Sequence, residues 1–248
     1  MRLTEDIYLV AGGDNGLNMT HSKDSHVYVI DGGEGELLMV DAGFGPAQAQ
    51  IEENMRADGL DPARISKIVV THYHADHAGG LAGWKKAYDC EVLTGADAAG
   101  PIREGDTYWN GLAWAQSFSF YPPEYVLEAC EVDQELSGGE TISIGRLNLQ
   151  AIHTPGHCRG HFCYLLEGSD RRSLFSGDCV FWGGKIVVQN VPDVSIPDYA
   201  ESLKRLRELE FDALLPGHLT FSLSNGKRHV IRADEEFRQI GSPRNLLA

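Results

Sequence analysis

Between Thr71 and Gly80 the chain reads Thr-His-Tyr-His-Ala-Asp-His-Ala-Gly-Gly, so His72, His74, Asp76 and His77 place four metal-binding side chains within six residues. Imidazole nitrogen and carboxylate oxygen suit borderline divalent ions such as zinc. Three further residues of these types occur in the same local setting, each at the end of an apolar run and beside a glycine: His157, Asp178 and His218. Seven such ligands are too many for one zinc ion but suit two, each keeping an open or shared position for solvent. The chemistry this set points to is water activation.

The elements that must position these residues can be read from apolar pattern and turn chemistry. Residues 7–11, 26–30 and 36–40 are short and rich in β-branched types, with Asp31-Gly-Gly-Glu-Gly35 as a turn, and predict an antiparallel meander. Pro46 suits the first turn of a helix running to about Asp58. Residues 65–70 form a near-continuous apolar strand, covered on both faces, that delivers the first ligand cluster. A short helix through Leu81, Trp84 and Tyr88 follows, and residues 91–94 return to the sheet.

Residues 132–134, 140–144 and 146–152 predict a second meander ending at His153-Thr-Pro-Gly-His157. Strands at 161–166 and 173–176 lead to Gly177-Asp178. Pro197 opens a helix with Tyr199, Leu203, Leu206 and Leu209 on one stripe. A strand at 211–215 runs into Pro216-Gly-His218, and a charged segment, Lys227 to Ile240, is expected to be helical. The expected organisation is one domain, 1–248, made of two similar β-rich halves. It carries an aromatic-rich insertion at about 105–126 that reads equally as core or as a lid.

Composition narrows the partners. With 36 acidic against 21 basic residues the formal charge is -15, which works against a nucleic-acid partner. The five cysteines form no Cys-x-x-Cys pair, so neither a disulfide framework nor a thiolate zinc site is indicated, and reduced thiols in a cytoplasm are expected. No stretch resembles a secretory leader or a membrane span. A small-molecule substrate is the expected partner, and a homodimer is compatible with the sequence.

Taken together, Thr71-His-x-His-x-Asp-His77, Thr154-Pro-Gly-His157, Gly177-Asp178 and Pro216-Gly-His218, with Asp41-Ala-Gly43 upstream, resemble the metallo-β-lactamase-fold hydrolases, in particular the glyoxalase II and lactonase branch. The resemblance implies an α/β fold, a four-layer αββα sandwich of two mixed β-sheets with helices on the outer faces. It implies that His72, His74 and His157 hold one metal, that Asp76, His77 and His218 hold a second, and that Asp178 bridges both. The implied cofactors are two divalent ions, zinc first, with iron or manganese as alternatives. The implied activity is attack of a hydroxide shared by the two ions on the carbonyl of a small ester, lactone or thioester, with Asp76 and Asp178 as catalytic residues. Asp41, Thr71, Thr154, Ser176 and His161 are candidates to hold the ligands in place.

Departures from family patterns bear on substrate. Many β-lactam-hydrolysing enzymes place cysteine where this chain has Asp178. Lactonases acting on acyl-homoserines carry a tyrosine three residues after the bridging aspartate, and here that residue is Phe181. Glyoxalase II enzymes hold glutathione with a lysine and a tyrosine in the following loop; Lys185 lies there without a nearby tyrosine. Phe181, Trp182 and Lys185, with Tyr108, Trp109 and Trp114 from the aromatic insertion, are therefore the candidate substrate contacts, for an apolar or aromatic moiety. The competing class is an iron oxidoreductase, since persulfide dioxygenases of this fold use a single iron.

Overall fold

The computed structural model describes residues 1–239 and 241–246. Its first sheet runs in spatial order β1 (Ile7–Ala11), β2 (Val27–Asp31), β3 (Leu37–Val40), β4 (Ile65–Val69), β5 (Glu91–Gly95) and β6 (Gln134–Leu136). The first three strands pair antiparallel and the rest parallel. In the second sheet β7 (Thr141–Ile144), β8 (Leu147–His153), β9 (Phe162–Glu167) and β10 (Arg172–Gly177) pair antiparallel, and β11 (Ala213–Pro216) adds parallel to β10. Both sheets are thus mixed.

The two sheets face one another across a dry layer in which Ile30, Leu38, Val40, Val69 and Leu93 meet Leu149, Phe162, Tyr164, Leu166 and Phe175. Strands such as β2 and β3 are apolar on both faces because each sheet is also covered from outside. On the first sheet the cover is α1 (Gln48–Ala57), α3 (Leu81–Tyr88) and α4 (Ala96–Glu104), whose Ile51, Met55, Leu81, Trp84 and Ile102 pack on Val29, Met39 and Ile68. The single turn α2 (Ala75–Ala78) and the short α5 (Leu112–Ser117) lie outside this layer.

On the second sheet α6 (Ile196–Arg207) and α7 (Lys227–Arg238) bury Tyr199, Leu203, Leu206, Val230 and Ala233 against Cys163, Leu165, Leu174 and Leu214. Ser195 caps α6 by accepting the Asp198 N–H, and Pro197 sits in the first turn, where its missing donor costs nothing. The architecture is the four-layer αββα sandwich. Ile240, the expected end of the last helix, lies outside the described residues. No helix among the described residues is long and apolar enough to cross a membrane, and the five cysteines are unpaired and buried.

One strand differs from expectation. Residues 132–134 were expected to open the second meander, yet Gln134–Leu136 pairs in parallel with Leu93–Gly95 at the edge of the first sheet. Asp133 explains the register: its carboxylate accepts the Val92 N–H at 2.7 Å and pairs with Lys85 of α3. Side-chain anchoring of this kind leaves no mark on local periodicity.

The insertion at 105–126 resolves into both of its readings. Leu112 and Tyr121 join Phe44, Ala75 and Leu127 in a small apolar cluster, while Trp114, Phe118 and Phe120 remain exposed. Trp84 is the largest fully buried side chain, and its indole N–H donates to the Ala42 carbonyl at 3.3 Å, just below the metal-ligand loops. Replacing a packed Trp by Ala leaves a cavity that costs about 3–5 kcal/mol. Trp84→Ala should therefore lower stability by that amount in a denaturant titration.

Candidate metal centre

The ligands converge because each leaves the end of a strand on the same rim of the sandwich. After β4 the chain turns through Thr71 to His74, and α2 then carries Asp76 and His77. His157 follows β8, Asp178 follows β10 and His218 follows β11. The rim is stitched across the two sheets: Phe162 N–H donates to the Thr71 carbonyl at 2.7 Å, and Tyr164 hydroxyl to the Val70 carbonyl at 2.8 Å. From below, His26 and Tyr28 both donate to the Pro216 carbonyl, at 3.0 and 2.8 Å, holding the turn that presents His218.

Two glycines are required by close approach. A Cβ at Gly177, which has φ +47°, would sit 2.7 Å from His161 Nε2 and 2.8 Å from Thr71 Cβ. One at Gly217 would sit 2.6 Å from both Asp178 Oδ1 and His77 Cε1. The motif glycines therefore make room for the ligands themselves.

All seven sequence-predicted ligands are brought together. His72, His74 and His157 form one group, with His74 Nδ1 at 3.0 Å from both His72 Nε2 and His157 Nε2. Asp76, His77 and His218 form another, with His218 Nε2 at 3.0 Å and His77 Nε2 at 3.6 Å from Asp76 Oδ2. Asp178 lies between them: Oδ2 is 3.8 Å from His157 Nε2 and 3.6 Å from His218 Nε2, while Oδ1 is 3.4 Å from His77 Nε2.

Donor atoms about 2.0–2.2 Å from a shared zinc lie at about these mutual separations. His77 Nε2 and Asp178 Oδ1 are buried and lack any hydrogen-bond partner. Orphaned buried polar atoms are costly, and a cation satisfies them. The residues present fit two divalent ions.

Surrounding groups fix which nitrogen faces the cleft. Asp41 Oδ2 accepts His77 Nδ1–H at 2.8 Å, and Asp41 Oδ1 accepts the Thr71 N–H at 2.7 Å. Thr71 hydroxyl donates to Asp41 and accepts from His72 Nδ1 at 3.0 Å. His157 Nδ1 donates to the Val187 carbonyl at 3.1 Å. These bonds leave Nε2 of His72, His77 and His157 for the centre. His161 stands outside the ligand groups; its Nδ1 donates to Thr154 Oγ1 at 2.9 Å and its Nε2 accepts the Asp178 N–H at 3.1 Å, so it holds Asp178 by its backbone. Ser176 acts one step further away, closing the 176–180 turn through the Val180 carbonyl at 2.7 Å.

Burial sets the protonation of the first group, holding His72 well below the usual imidazole range, His74 down at about 3, and His157 lowered despite Asp178 beside it. In the second group burial is opposed by charge. Desolvation acts against the ionised forms, but Asp76, Asp41 and Asp178 outweigh it at His77 and hold that imidazole well above its ordinary range. The same balance, with Asp178 and Asp76 as the partners, raises His218. Asp76 and Asp178 are correspondingly held below the usual carboxylate range by His77 and His218.

The ligands open onto a cleft of about 240 Å³ whose far side is apolar, with Trp114, Ala115, Phe118, Phe120, Tyr121 and Val191. Among the expected substrate contacts only Trp114 lines it. Phe181 is fully buried with its ring 6.2 Å from that of His218, so it packs behind a ligand. Trp182 and Lys185 border an adjoining groove that meets the cleft at Asn15. Trp109 is turned outward over Arg159, 4.3 Å from its guanidinium carbon, and Tyr108 stacks edge-on against it in solvent.

Two tyrosines at the site carried no sequence signal as such. Tyr121 hydroxyl donates to Asp76 Oδ1 at 2.9 Å, and Tyr199, read only as part of an apolar stripe, donates to the Asp178 carbonyl at 2.6 Å.

Comparison with known proteins agrees with this geometry. The model of the metallo-beta-lactamase superfamily matches residues 23–218. The acyl-coenzyme A thioesterase MBLAC2 of Gallus gallus is 30% identical over 212 residues, 78% of this chain and 72% of that protein. The hydroxyacylglutathione hydrolase of Rhodopseudomonas palustris strain BisB5 is 30% identical over 206 residues, 82% of this chain and 66% of the relative. Among solved structures, a metallo-β-lactamase with a HARLDQ motif from Cronobacter sakazakii superposes with a TM-score of 0.70 at 20% identity, covering 88% of this chain and 80% of the other. The subclass B3 metallo-β-lactamase BJP-1 of Bradyrhizobium japonicum gives 0.68 at 25% identity, over 88% and 76%. With the family model spanning every ligand and both sheets matching in these structures, the chain belongs to the metallo-β-lactamase superfamily.

Proposed function

We propose that this protein is a binuclear metallohydrolase that cleaves thioesters, and related esters, of small apolar acyl groups. The observation that carries the reading is the position of Asp178 between two complete ligand groups that open together onto an apolar cleft. His72, His74 and His157 would hold one divalent ion, Asp76, His77 and His218 the other, and Asp178 would be shared. Zinc suits these donors best. When bound, such ions would lower the pKa of a coordinated water toward neutrality and polarise a carbonyl.

The chain's own residues set what that chemistry acts on. Asp41, Thr71 and the Val187 carbonyl keep three imidazoles in the tautomer that points Nε2 inward. Trp114, Ala115 and Phe118 offer an acyl group an apolar wall and exclude water from it. No Lys or Arg is among the described residues lining the cleft, so an anionic acyl group meets no basic side chain of that kind there. The thiol half of a thioester has room in the groove beyond Asn15, beside Trp182 and Lys185. The thioesterase and glutathione-thioester hydrolase relatives support the choice of bond.

Purified protein should hold close to two divalent ions per chain by elemental analysis, and Asp178→Ala should abolish thioester hydrolysis while keeping the far-UV circular dichroism spectrum. One iron per chain with oxygen uptake, or full activity after exhaustive chelation, would overturn the reading. Asp41→Asn, which costs His77 its anionic partner, should lower metal affinity or activity by about 10–100-fold. Trp114→Ala should raise KM for apolar acyl thioesters about tenfold, the equivalent of about 1.4 kcal/mol of lost contact, with little change for acetyl substrates.

A further inference from the structure

Asp76 uses its two oxygens differently. Oδ2 faces His218 and His77, whereas Oδ1 turns away from both and accepts the Tyr121 hydroxyl at 2.9 Å. Tyr121 comes from the 105–126 insertion and not from either sheet. Its ring is buried and held on both sides, stacked on Phe44 at 5.0 Å between centroids and met edge-on by Phe120 at 4.9 Å.

Phe44 is itself anchored. It stacks on Tyr125 at 3.9 Å, its N–H donates to Asp24 at 2.8 Å, and its carbonyl accepts the Tyr125 hydroxyl at 2.9 Å. The phenol of Tyr121 is therefore delivered to Asp76 by a rigid aromatic stack. Rotation of the Asp76 carboxylate would break this bond and withdraw Oδ2 from the histidines.

We propose that Tyr121 is a positioning residue for Asp76 that sets the affinity of the Asp76, His77 and His218 half of the centre, and so ties metal loading there to the seating of the aromatic insertion over the cleft. The inference rests on the two-ion reading above. Partners that fix a ligand's orientation are worth 10–100-fold in metal affinity. Because the bond reaches only one ligand group, its loss should fall on one ion of the pair. The insertion also supplies Trp114 and Phe118 to the substrate wall, so the segment that shapes specificity also orients a ligand.

The test is a competition titration of the metal-free chain with zinc against a chromophoric chelator, on wild type, Tyr121→Phe and Tyr125→Phe. Wild type should show two binding steps. Tyr121→Phe keeps the ring and its stacking, and should weaken one step by 10–100-fold while leaving the other within twofold. Tyr125→Phe loosens one anchor of the same stack but keeps the bond to Asp76, and should weaken the same step by threefold at most. In steady-state kinetics at saturating zinc, Tyr121→Phe should leave KM within twofold, whereas Tyr121→Ala, which opens the wall, should raise it.

Two steps in wild type with both unchanged in Tyr121→Phe would overturn the inference alone, as would equal weakening by Tyr125→Phe. A single step in wild type would overturn the two-ion reading and this inference with it.

Discussion

The Asp41 carboxylate is the contact on which the centre depends. It is buried at the end of β3, in a left-handed backbone conformation with φ +63° that aspartate tolerates better than most residues. A carboxylate in such a place is costly unless its oxygens are satisfied. Here they receive the Thr71 N–H, the Thr71 hydroxyl and His77 Nδ1–H. One side chain thus joins the ends of two adjacent parallel strands, fixes the tautomer of a ligand directly, and fixes that of His72 through Thr71. The backbone continues the clamp, with Ala42 N–H on the His77 carbonyl at 2.7 Å.

The two halves of the centre are electrostatically unlike. Three buried imidazoles, with only the shared Asp178 beside them, are lowered by desolvation, toward the neutral form that a metal needs. The other half is built on carboxylates, and Asp76, Asp41 and Asp178 raise His77 and His218 above the ordinary imidazole range. On the two-ion reading, an ion there would come between imidazoles and carboxylates that face each other, whereas one among His72, His74 and His157 would enter a cluster of imidazoles. Tyr121 adds a neutral donor to the charged half, which fixes geometry without altering its charge.

What could be read from the chain divides along physical lines. The convergence of the seven His and Asp side chains was legible because metal coordination demands particular side-chain types, and because His157, Asp178 and His218 each follow an apolar strand beside a glycine. Helix α6 was legible from its stripe and its Pro197 start, though not from the Ser195 cap. Parallel pairing of β6 with β5 was not, since it rests on Asp133 reaching Val92 and Lys85 across the sheet. The aromatic insertion resisted for a related reason. Trp109, Trp114 and Tyr121 are alike in composition, yet one covers an arginine, one lines the cleft, and one donates to a carboxylate 45 residues away in the chain. Periodicity reports which face is buried, and these three differ in partner and not in pattern.

That insertion also accounts for how reactivity and selectivity are combined in one small space. On the proposed two-ion reading the ligand wall would concentrate charge: Asp41, Asp76 and Asp178 fall short of balancing two divalent ions, and the positive excess would favour an anionic nucleophile and a developing oxyanion. The opposite wall contributes the apolar rings of Trp114, Phe118 and Phe120. Apolar surface at that distance lowers the local dielectric and strengthens every electrostatic interaction the ligand wall makes. On the proposed function an acyl chain lying on it would exclude water from the reacting carbonyl, so the surface that selects the substrate would also sharpen the field in which its carbonyl reacts.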